Sequence, residues 1–135
     1  MLTVWITGAS SGIGEACAYK YAAEGARVIL TSSSVERLEV VANKCREKGA
    51  ESVTVLAYDL GCLDGIDTLT DKAWEVAEGI DIVMLNAGIS QRTNVEDTSM
   101  EMVRKIMEIN YFAPVAIAII LLNQLGLSHW LQHIL

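Results

Sequence analysis

The sequence has little proline and little positive charge. Proline occurs once in 135 residues, and there is no internal repeat or low-complexity tract. Hydrophobic residues make up 52% and charged residues 20% of the chain, which is typical of a globular protein. The formal net charge is −7 and the basic residues form no cluster, so we expect no nucleic-acid partner. The length favours a single domain.

The sequence also lacks paired cysteines and the marks of a secretory leader. Its three cysteines are an odd number without a CxxC pair, which indicates reduced thiols in a reducing compartment. The N-terminus has no basic segment followed by an apolar one, so no signal peptide is expected. The longest apolar run, from Tyr111 to Leu122, is shorter than the roughly 20 residues that span a bilayer. We therefore predict a buried helix there, and a protein of the cytoplasm or of the cytosolic face of a membrane.

Short apolar runs rich in valine, isoleucine and leucine recur along the chain. Both faces of each run are apolar, as expected of parallel strands that helices cover on each side. The predicted strands cover residues 3–6, 27–31, 52–58 and 81–85.

Segments with helical spacing alternate with these strands. The last predicted helix begins with a capping box in which Thr98 is the cap and Glu101 follows three residues later. The alternation predicts an α/β fold with a doubly wound parallel sheet in strand order 3-2-1-4. The fourth strand would then lie at an exposed apolar edge, so a partner chain or a further part of the domain should cover it. The predicted helices cover residues 12–24, 35–48, 64–78 and 99–124.

The stretch TGASSGIG, residues 7–14, connects the first strand to the first helix. Its glycines, Gly8, Gly12 and Gly14, suit a turn that approaches a pyrophosphate and a helix that packs closely on the sheet. The amides from about Ser11 to Ile13 would point at the anion, and Ser10 could add a hydroxyl. The alternative is that the glycines only form a tight turn.

Four segments together resemble one family. TGASSGIG, the DL of residues 59–60, the NAG of residues 86–88 and IMEINYFAPV around Asn110 stand in order at family spacing. In these segments the sequence resembles the common, non-extended form of the short-chain dehydrogenase/reductase family. The resemblance implies a Rossmann-type NAD(P)-binding domain over residues 1–125 that lacks the C-terminal strands, and an unrelated tail over residues 126–135.

The resemblance also implies a function and a set of cofactor contacts. The family transfers a hydride between a nicotinamide and a carbonyl or an alcohol. Asp59 would contact the adenine amino group, or it would cap a helix, and the Asn86 segment would approach the ribose or form a strand-ending turn. The implied cofactor-binding residues are Gly8, Ser10, Ser11, Gly12, Ile13, Gly14, Ser32, Ser33, Arg37, Asp59, Leu60, Asn86, Ala87 and Gly88.

The end of the second strand bears on the choice of cofactor. A carboxylate there would bind both ribose hydroxyls and repel a 2′-phosphate, but the chain has Ser32 and Ser33 instead, with Arg37 one turn later. This pattern favours NADP over NAD. Arg37 could instead be an ordinary exposed helix residue.

The resemblance is incomplete in its catalytic residues. Asn110 stands where the family carries the asparagine that bends a helix and binds a water through its backbone carbonyl; alternatively, it is a buried asparagine bonded to a neighbouring carbonyl. The family's catalytic serine and its YxxxK are not found among the 135 residues. We therefore expect cofactor binding without turnover. The rival interpretation is a non-catalytic module, a nucleotide-binding fragment or pseudoenzyme, that forms a homodimer through helix 99–124. His129 and His133 have no third ligand nearby, so no metal is expected.

Overall fold

Four parallel strands form one sheet in the order β3-β2-β1-β4, which confirms the expected topology. A computed structural model describes residues 1–126. The strands are β1 (Thr3–Thr7), β2 (Arg27–Thr31), β3 (Ser52–Val55) and β4 (Ile82–Leu85). The helices are α1 (Gly12–Ala23), α2 (Val35–Lys48), α3 (Ile66–Val76), α4 (Met100–Met107) and α5 (Ala113–Gln124), and a π-helical turn (Glu108–Phe112) joins the last two.

The strands pair through their backbones, and the residues at the centre of the paired segments are apolar. Trp5 lies opposite Ile29 on one side and Val83 on the other, at the centre of the sheet. Its side chain is fully buried, and its indole N–H donates to the Thr31 hydroxyl at 2.9 Å. A buried indole N–H without a partner would carry a desolvation cost. The bond to Thr31 removes this cost and allows Trp5 to be buried at the centre of the sheet.

Two apolar layers cover the two faces of the sheet. One face packs against α1 and α2, through residues such as Ala18, Leu38 and Val41. The other face packs against α3 and α5, through residues such as Ile66 and Ile117. Because both faces are covered, the strands have no polar face, which explains their continuous apolar runs.

The helix and strand ends differ from the sequence-based expectations at a few places. β3 ends at Val55 and not at residue 58. Beyond its end, the Leu56 N–H still donates to the Leu30 carbonyl in β2, and the Tyr58 N–H donates to the Ser32 carbonyl just after β2. The cap of α4 is Ser99, whose hydroxyl accepts from the Met102 N–H at 3.2 Å; the expectation for Thr98 was wrong. The Thr98 hydroxyl donates to the Asn94 carbonyl instead, within the turn that precedes the helix.

The outer edge of β4 has no strand beside it within residues 1–126, as expected. An apolar groove of about 230 Å³ lies along this edge, and its lining includes Trp74, Val83 and Leu121. The sequence-based expectation that this edge needs a cover therefore stays a prediction.

The continuous helix Met100–Gln124 has the length and composition of a membrane span. Its most apolar window has a mean hydropathy of 1.7 and is 22% buried. Within α5, Ala113, Ile117 and Leu121 are buried and pack against the sheet. The expectation of no membrane span stays a prediction.

Candidate functional site

A cleft of about 540 Å³ opens where the carboxyl ends of the parallel strands meet. In open α/β sheets, ligands bind at this edge, at the point where the strand order reverses. Here that point lies between β1 and β4, the strands whose following turns carry Gly8 and Asn86. Every residue that the sequence analysis assigned to cofactor binding lines the cleft, with the exception of Gly14.

The Thr7 hydroxyl connects the turn after β1 to the turn after β4 by hydrogen bonds. The Thr7 hydroxyl accepts from the N–H groups of Asn86 and Ala87 at 3.1 and 3.2 Å, and it donates to the Met84 carbonyl at 3.3 Å. The Asn86 side-chain amide donates to the Gly8 carbonyl at 3.4 Å. These contacts hold the turn after β1 against the turn after β4.

Gly8 allows this close contact between the two turns. It has a φ of +66°, and an added Cβ would lie 2.8 Å from Cα of Ala87. A side chain at this position would be strained by its backbone conformation and would also collide with the neighbouring turn. The geometry shows a tight turn at Gly8, and the approach of this turn to a pyrophosphate stays a prediction.

Gly14 lies behind the cleft, on the first turn of α1. A Cβ at this position would collide with the Gly8 carbonyl oxygen and would lie 2.8 Å from the Asn86 amide nitrogen. The residue therefore lets the helix approach the two turns, which is the packing role expected of a glycine on the first helical turn.

The N-terminus of α1 faces the cleft. Ser11 is its N-cap residue, but the Ser11 side chain makes no capping hydrogen bond. The first amides of a helix need partners from outside the helix, and together with the helix dipole they favour an anion. Ser10, Ser11, Gly12 and Ile13 all line the cleft at this point.

One wall of the cleft is polar and carries a single arginine. Ser32 and Ser33 follow β2, and Arg37 lies on the first turn of α2. The Ser34 hydroxyl caps α2 by accepting from the Arg37 N–H at 3.3 Å, and the Ser32 hydroxyl accepts from the Ser34 N–H at 3.3 Å. The exposed Ser33 hydroxyl and the exposed Arg37 side chain are the polar groups of this wall that can reach a ligand.

The residues that follow β3, the strand next to β2, also line the cleft. Leu60 is buried and packs in the core layer beneath α3. The Asp59 carboxylate is exposed, and its Oδ1 accepts from the Gly61 N–H at 2.9 Å. Asp59 therefore stabilises its own turn; it does not cap a helix, because the next helical turn begins at Leu63 with Cys62 as its N-cap residue.

Asn110 lies in the π-helical turn, so the expected distortion of the helix is present at this residue. Its side chain is exposed and pairs with the backbone of Ile89: Oδ1 accepts from the Ile89 N–H at 2.8 Å, and Nδ2 donates to the Ile89 carbonyl at 2.7 Å. The alternative expectation was a buried asparagine bonded to a carbonyl. Asn110 is exposed, so its expected burial was wrong, but the bond to a carbonyl, that of Ile89, is present. Asn110 thus fixes the segment that follows β4 at the mouth of the cleft.

Four residues of this region were not predicted from the sequence. Thr7 joins the two central turns, and Tyr58, Ile89 and Ile109 line the cleft. A signal existed for Tyr58 and Ile109, since each immediately precedes a residue that the motifs single out. The contact of Thr7 with Asn86 spans 79 positions of sequence, and no local pattern predicts it.

Within residues 1–126, no group of three or more histidines, cysteines, aspartates and glutamates is arranged to hold a metal. The pair His129 and His133 lies outside the described residues, as does most of the predicted tail over residues 126–135. The expected absence of a metal stays a prediction.

Comparison with known proteins identifies the family. The family described as short chain dehydrogenase matches residues 2–129. The human protein named dehydrogenase/reductase SDR family member 7 is 37% identical over 119 residues, which cover 86% of this chain and 35% of that protein. The chain therefore spans about a third of the length of this curated relative.

Solved structures agree with this relationship. An alcohol dehydrogenase from Thermococcus sibiricus, complexed with 5-hydroxy-NADP, superimposes with a TM-score of 0.84 at 31% identity, over 91% of this chain and 52% of that one. A short-chain dehydrogenase from Sphingobium yanoikuyae, in complex with NADPH, has a TM-score of 0.84 at 28% identity, over 92% of this chain and 48% of that one. The match over residues 2–129 and the shared fold show that this chain belongs to the short-chain dehydrogenase family.

Proposed function

We propose that this chain binds a nicotinamide dinucleotide in the cleft at the carboxyl ends of its strands. The observation that carries the proposal is that predicted residues from four separate segments, three of them motifs and one the end of β2, line one cleft around an uncapped helix N-terminus. An uncapped helix N-terminus beside a glycine turn suits a pyrophosphate. Two similar solved structures are complexes with 5-hydroxy-NADP and with NADPH, which supports the same ligand class here.

We propose further that NADP is preferred over NAD. The wall that follows β2 has serine hydroxyls and the cation of Arg37, and Ser32, Ser33 and Ser34 stand where a carboxylate would repel a 2′-phosphate. A guanidinium that reaches a phosphate forms a charge-assisted hydrogen bond, which is stronger than a bond between neutral groups. The cofactor, when bound, supplies a hydride donor or acceptor.

Titration calorimetry of the 135-residue chain with NADPH and with NADH tests both proposals. NADPH should bind more tightly than NADH. Arg37→Gln should weaken NADPH binding by about tenfold, which corresponds to the loss of one charge-assisted contact, and should leave NADH binding unchanged.

A matched control for this experiment is Arg46→Gln, near the other end of the same helix. Arg46 donates to the Asn43 side chain and does not line the cleft, so its replacement should leave both affinities unchanged. Equal affinity for the two cofactors in the wild-type chain would rule out the preference for NADP, and absence of binding would rule out the nucleotide site.

The reaction we propose for the whole protein is carbonyl reduction or alcohol oxidation by hydride transfer. In this chain Asn110 would act by position, since its side chain fixes the segment at Ile89 and its backbone lies in the π-helical turn. The 135 residues contain no YxxxK that could supply the proton. We therefore propose that this chain binds the cofactor without turning it over, and a spectrophotometric assay of NADPH oxidation with a panel of carbonyl compounds tests this.

A second candidate function is association of two copies through the long helix. Tyr111, Val115 and Ile119 form a stripe at four-residue spacing, and these side chains are 55, 39 and 55% exposed. Residues at this spacing share one face of a helix, so the stripe is continuous and apolar. We propose that it forms a homodimer interface, which would suit both an enzyme and a non-catalytic module.

We also propose a reducing compartment, either the cytoplasm or the cytosolic face of a membrane. Cys17, Cys45 and Cys62 are all free thiols, which supports this setting. Fractionation of cells at physiological salt would separate a soluble protein from one bound to membranes, and an alkaline carbonate wash of the membranes would then separate a peripheral protein from an integral one.

A further inference from the structure

Tyr58 links the end of β2 to the loop that carries Asp59. Its backbone N–H donates to the Ser32 carbonyl at 2.9 Å, which ties the residue to the wall that follows β2. The hydroxyl of its side chain lies among the residues just before α3, beside the cleft that Tyr58 itself lines.

The Tyr58 hydroxyl makes two hydrogen bonds to the loop of residues 59–65. It accepts from the Gly65 N–H at 2.8 Å, and it donates to the Cys62 carbonyl. Inside this loop Asp59 accepts from the Gly61 N–H. The middle and the C-terminal end of the loop are thereby attached to one side chain, which is half-buried and packs against the apolar layer beneath α3.

Gly65 is compatible with this arrangement only because it lacks a side chain. An added Cβ would lie 2.7 Å from the Tyr58 hydroxyl oxygen and 2.8 Å from a carbon of its ring. Its φ is −103°, which alanine adopts without strain, so the obstacle to a side chain is Tyr58 itself.

The Tyr58 phenol must be protonated to hold the loop, because its O–H donates to the Cys62 carbonyl. Burial raises the pKa of Tyr58 above its ordinary value, and the Gly65 N–H that donates to the oxygen opposes this effect. The hydroxyl therefore stays protonated at neutral pH, and the loop keeps both of its bonds.

We propose that Tyr58 is a positioning residue, which holds the loop of residues 59–65 so that Asp59 is presented to the adenosine half of the ligand before binding. This inference rests on the proposed nucleotide site and deepens it. A loop ordered in advance has less conformational freedom to lose on binding, so the hydroxyl contributes to affinity although it acts through Asp59.

The test uses Tyr58→Phe in the 135-residue chain, which keeps the ring and removes the hydroxyl. Affinities for 2′,5′-ADP, nicotinamide mononucleotide and NADPH are measured by calorimetry or by competition. The loss of these hydrogen bonds should weaken 2′,5′-ADP and NADPH by about fivefold and leave nicotinamide mononucleotide unchanged.

Two further measurements separate positioning from a general loss of structure. Asp59→Ala removes the group that the loop presents, so Tyr58→Phe should add little when it is combined with Asp59→Ala. The control is Tyr21→Phe, a half-buried tyrosine whose hydroxyl makes no hydrogen bond within the described part of the chain. This control should leave all three affinities unchanged.

Gly65→Ala offers a second variant that alters neither Tyr58 nor Asp59 chemically. Its Cβ should displace the tyrosine and reproduce the loss that is specific to the adenosine half. If the wild-type chain binds NADPH, three results would each overturn this inference alone. They are no effect of Tyr58→Phe on affinity, an equal loss of affinity for nicotinamide mononucleotide, and full additivity of Tyr58→Phe with Asp59→Ala. A wild-type chain that does not bind NADPH would overturn the proposed site and this inference with it.

Discussion

Gly14 and Gly8 bring the first helix, the first strand and the fourth strand together at one point. The Gly14 Cα faces the Gly8 carbonyl, and the Asn86 amide lies beside both. Because two backbones meet here, the position has no flexible side chain that could move aside. This contact sets the distance between the helix N-terminus and the turn after β4.

Gly14→Ala should therefore destabilise the protein. Alanine is the better helix former by about 1 kcal/mol, but overpacking against backbone costs about 3 kcal/mol, so the steric effect is larger. Urea denaturation should show a net loss of about 2 kcal/mol in the free energy of unfolding.

Gly88→Ala is the matched control for this prediction. A Cβ there would lie 3.4 Å from the Asn110 Oδ1, which is ordinary contact, and Gly88 is not among the glycines with positive φ. Its free energy of unfolding should change by less than about 1 kcal/mol. If the two variants were equally stable, the steric role of Gly14 would be wrong.

Asn110 shows how far a single residue can be understood from the sequence. A poor helix former in the middle of a long helix predicts a distortion, and the π-helical turn is present there. Its pairing with Ile89 could not be predicted, because the partner lies 21 positions away and is a backbone group of irregular conformation.

At the scale of elements, the helix Met100–Gln124 begins at a defined cap. Ser99 accepts from the Met102 N–H, while Thr98 bonds within the preceding turn. Both residues are good caps by type, and only the backbone geometry selects between them.

Ser99→Ala should loosen the first turn of this helix. The loss of a capping hydroxyl costs about 1 kcal/mol, and the Met102 amide loses its acceptor. Native-state hydrogen exchange should then be about fivefold faster at Met102, since exchange reports local opening. Thr98→Ala should leave the exchange rate of Met102 nearly unchanged; a larger effect of Thr98→Ala would mean that the cap is misassigned.

The ends of the strands are predicted from the sequence less accurately than their presence. The apolar run of residues 52–58 predicts a strand of that length, but β3 ends at Val55. The backbone N–H groups of Leu56 and Tyr58 still bond to the chain of β2, so the pairing is continued by alternate residues without regular strand geometry. Hydrophobic pattern identifies the segment, whereas the local backbone path decides where the strand stops.

At the scale of the whole molecule, we expect two copies to associate through the exposed stripe of Tyr111, Val115 and Ile119. Ile119→Glu places a charge in the middle of the stripe and should shift a dimer toward monomer in sedimentation equilibrium. Burying an unpaired carboxylate in an apolar interface is strongly unfavourable, so the dissociation constant should rise at least tenfold, on the order of 1.4 kcal/mol or more.

Val40→Glu is the control for this prediction, because Val40 is similarly exposed, at 54%, but lies on α2. It should leave the association constant unchanged. A wild-type chain that sediments as a monomer at every concentration would contradict the proposed interface.

The sequence by itself determined the types of the elements, the strand order and most of the positions that line the cleft. The elements and their order follow from apolar periodicity and from the right-handed crossover of parallel strands, and the cleft positions follow from the resemblance of the motifs at strand ends to those of the family. Only the tertiary structure decided how Thr7 holds Asn86, how Tyr58 holds Gly65 and how Asn110 holds Ile89. The physical reason is that periodicity is a local property of the chain. A hydrogen bond between two turns, in contrast, depends on where the twisted sheet brings their atoms.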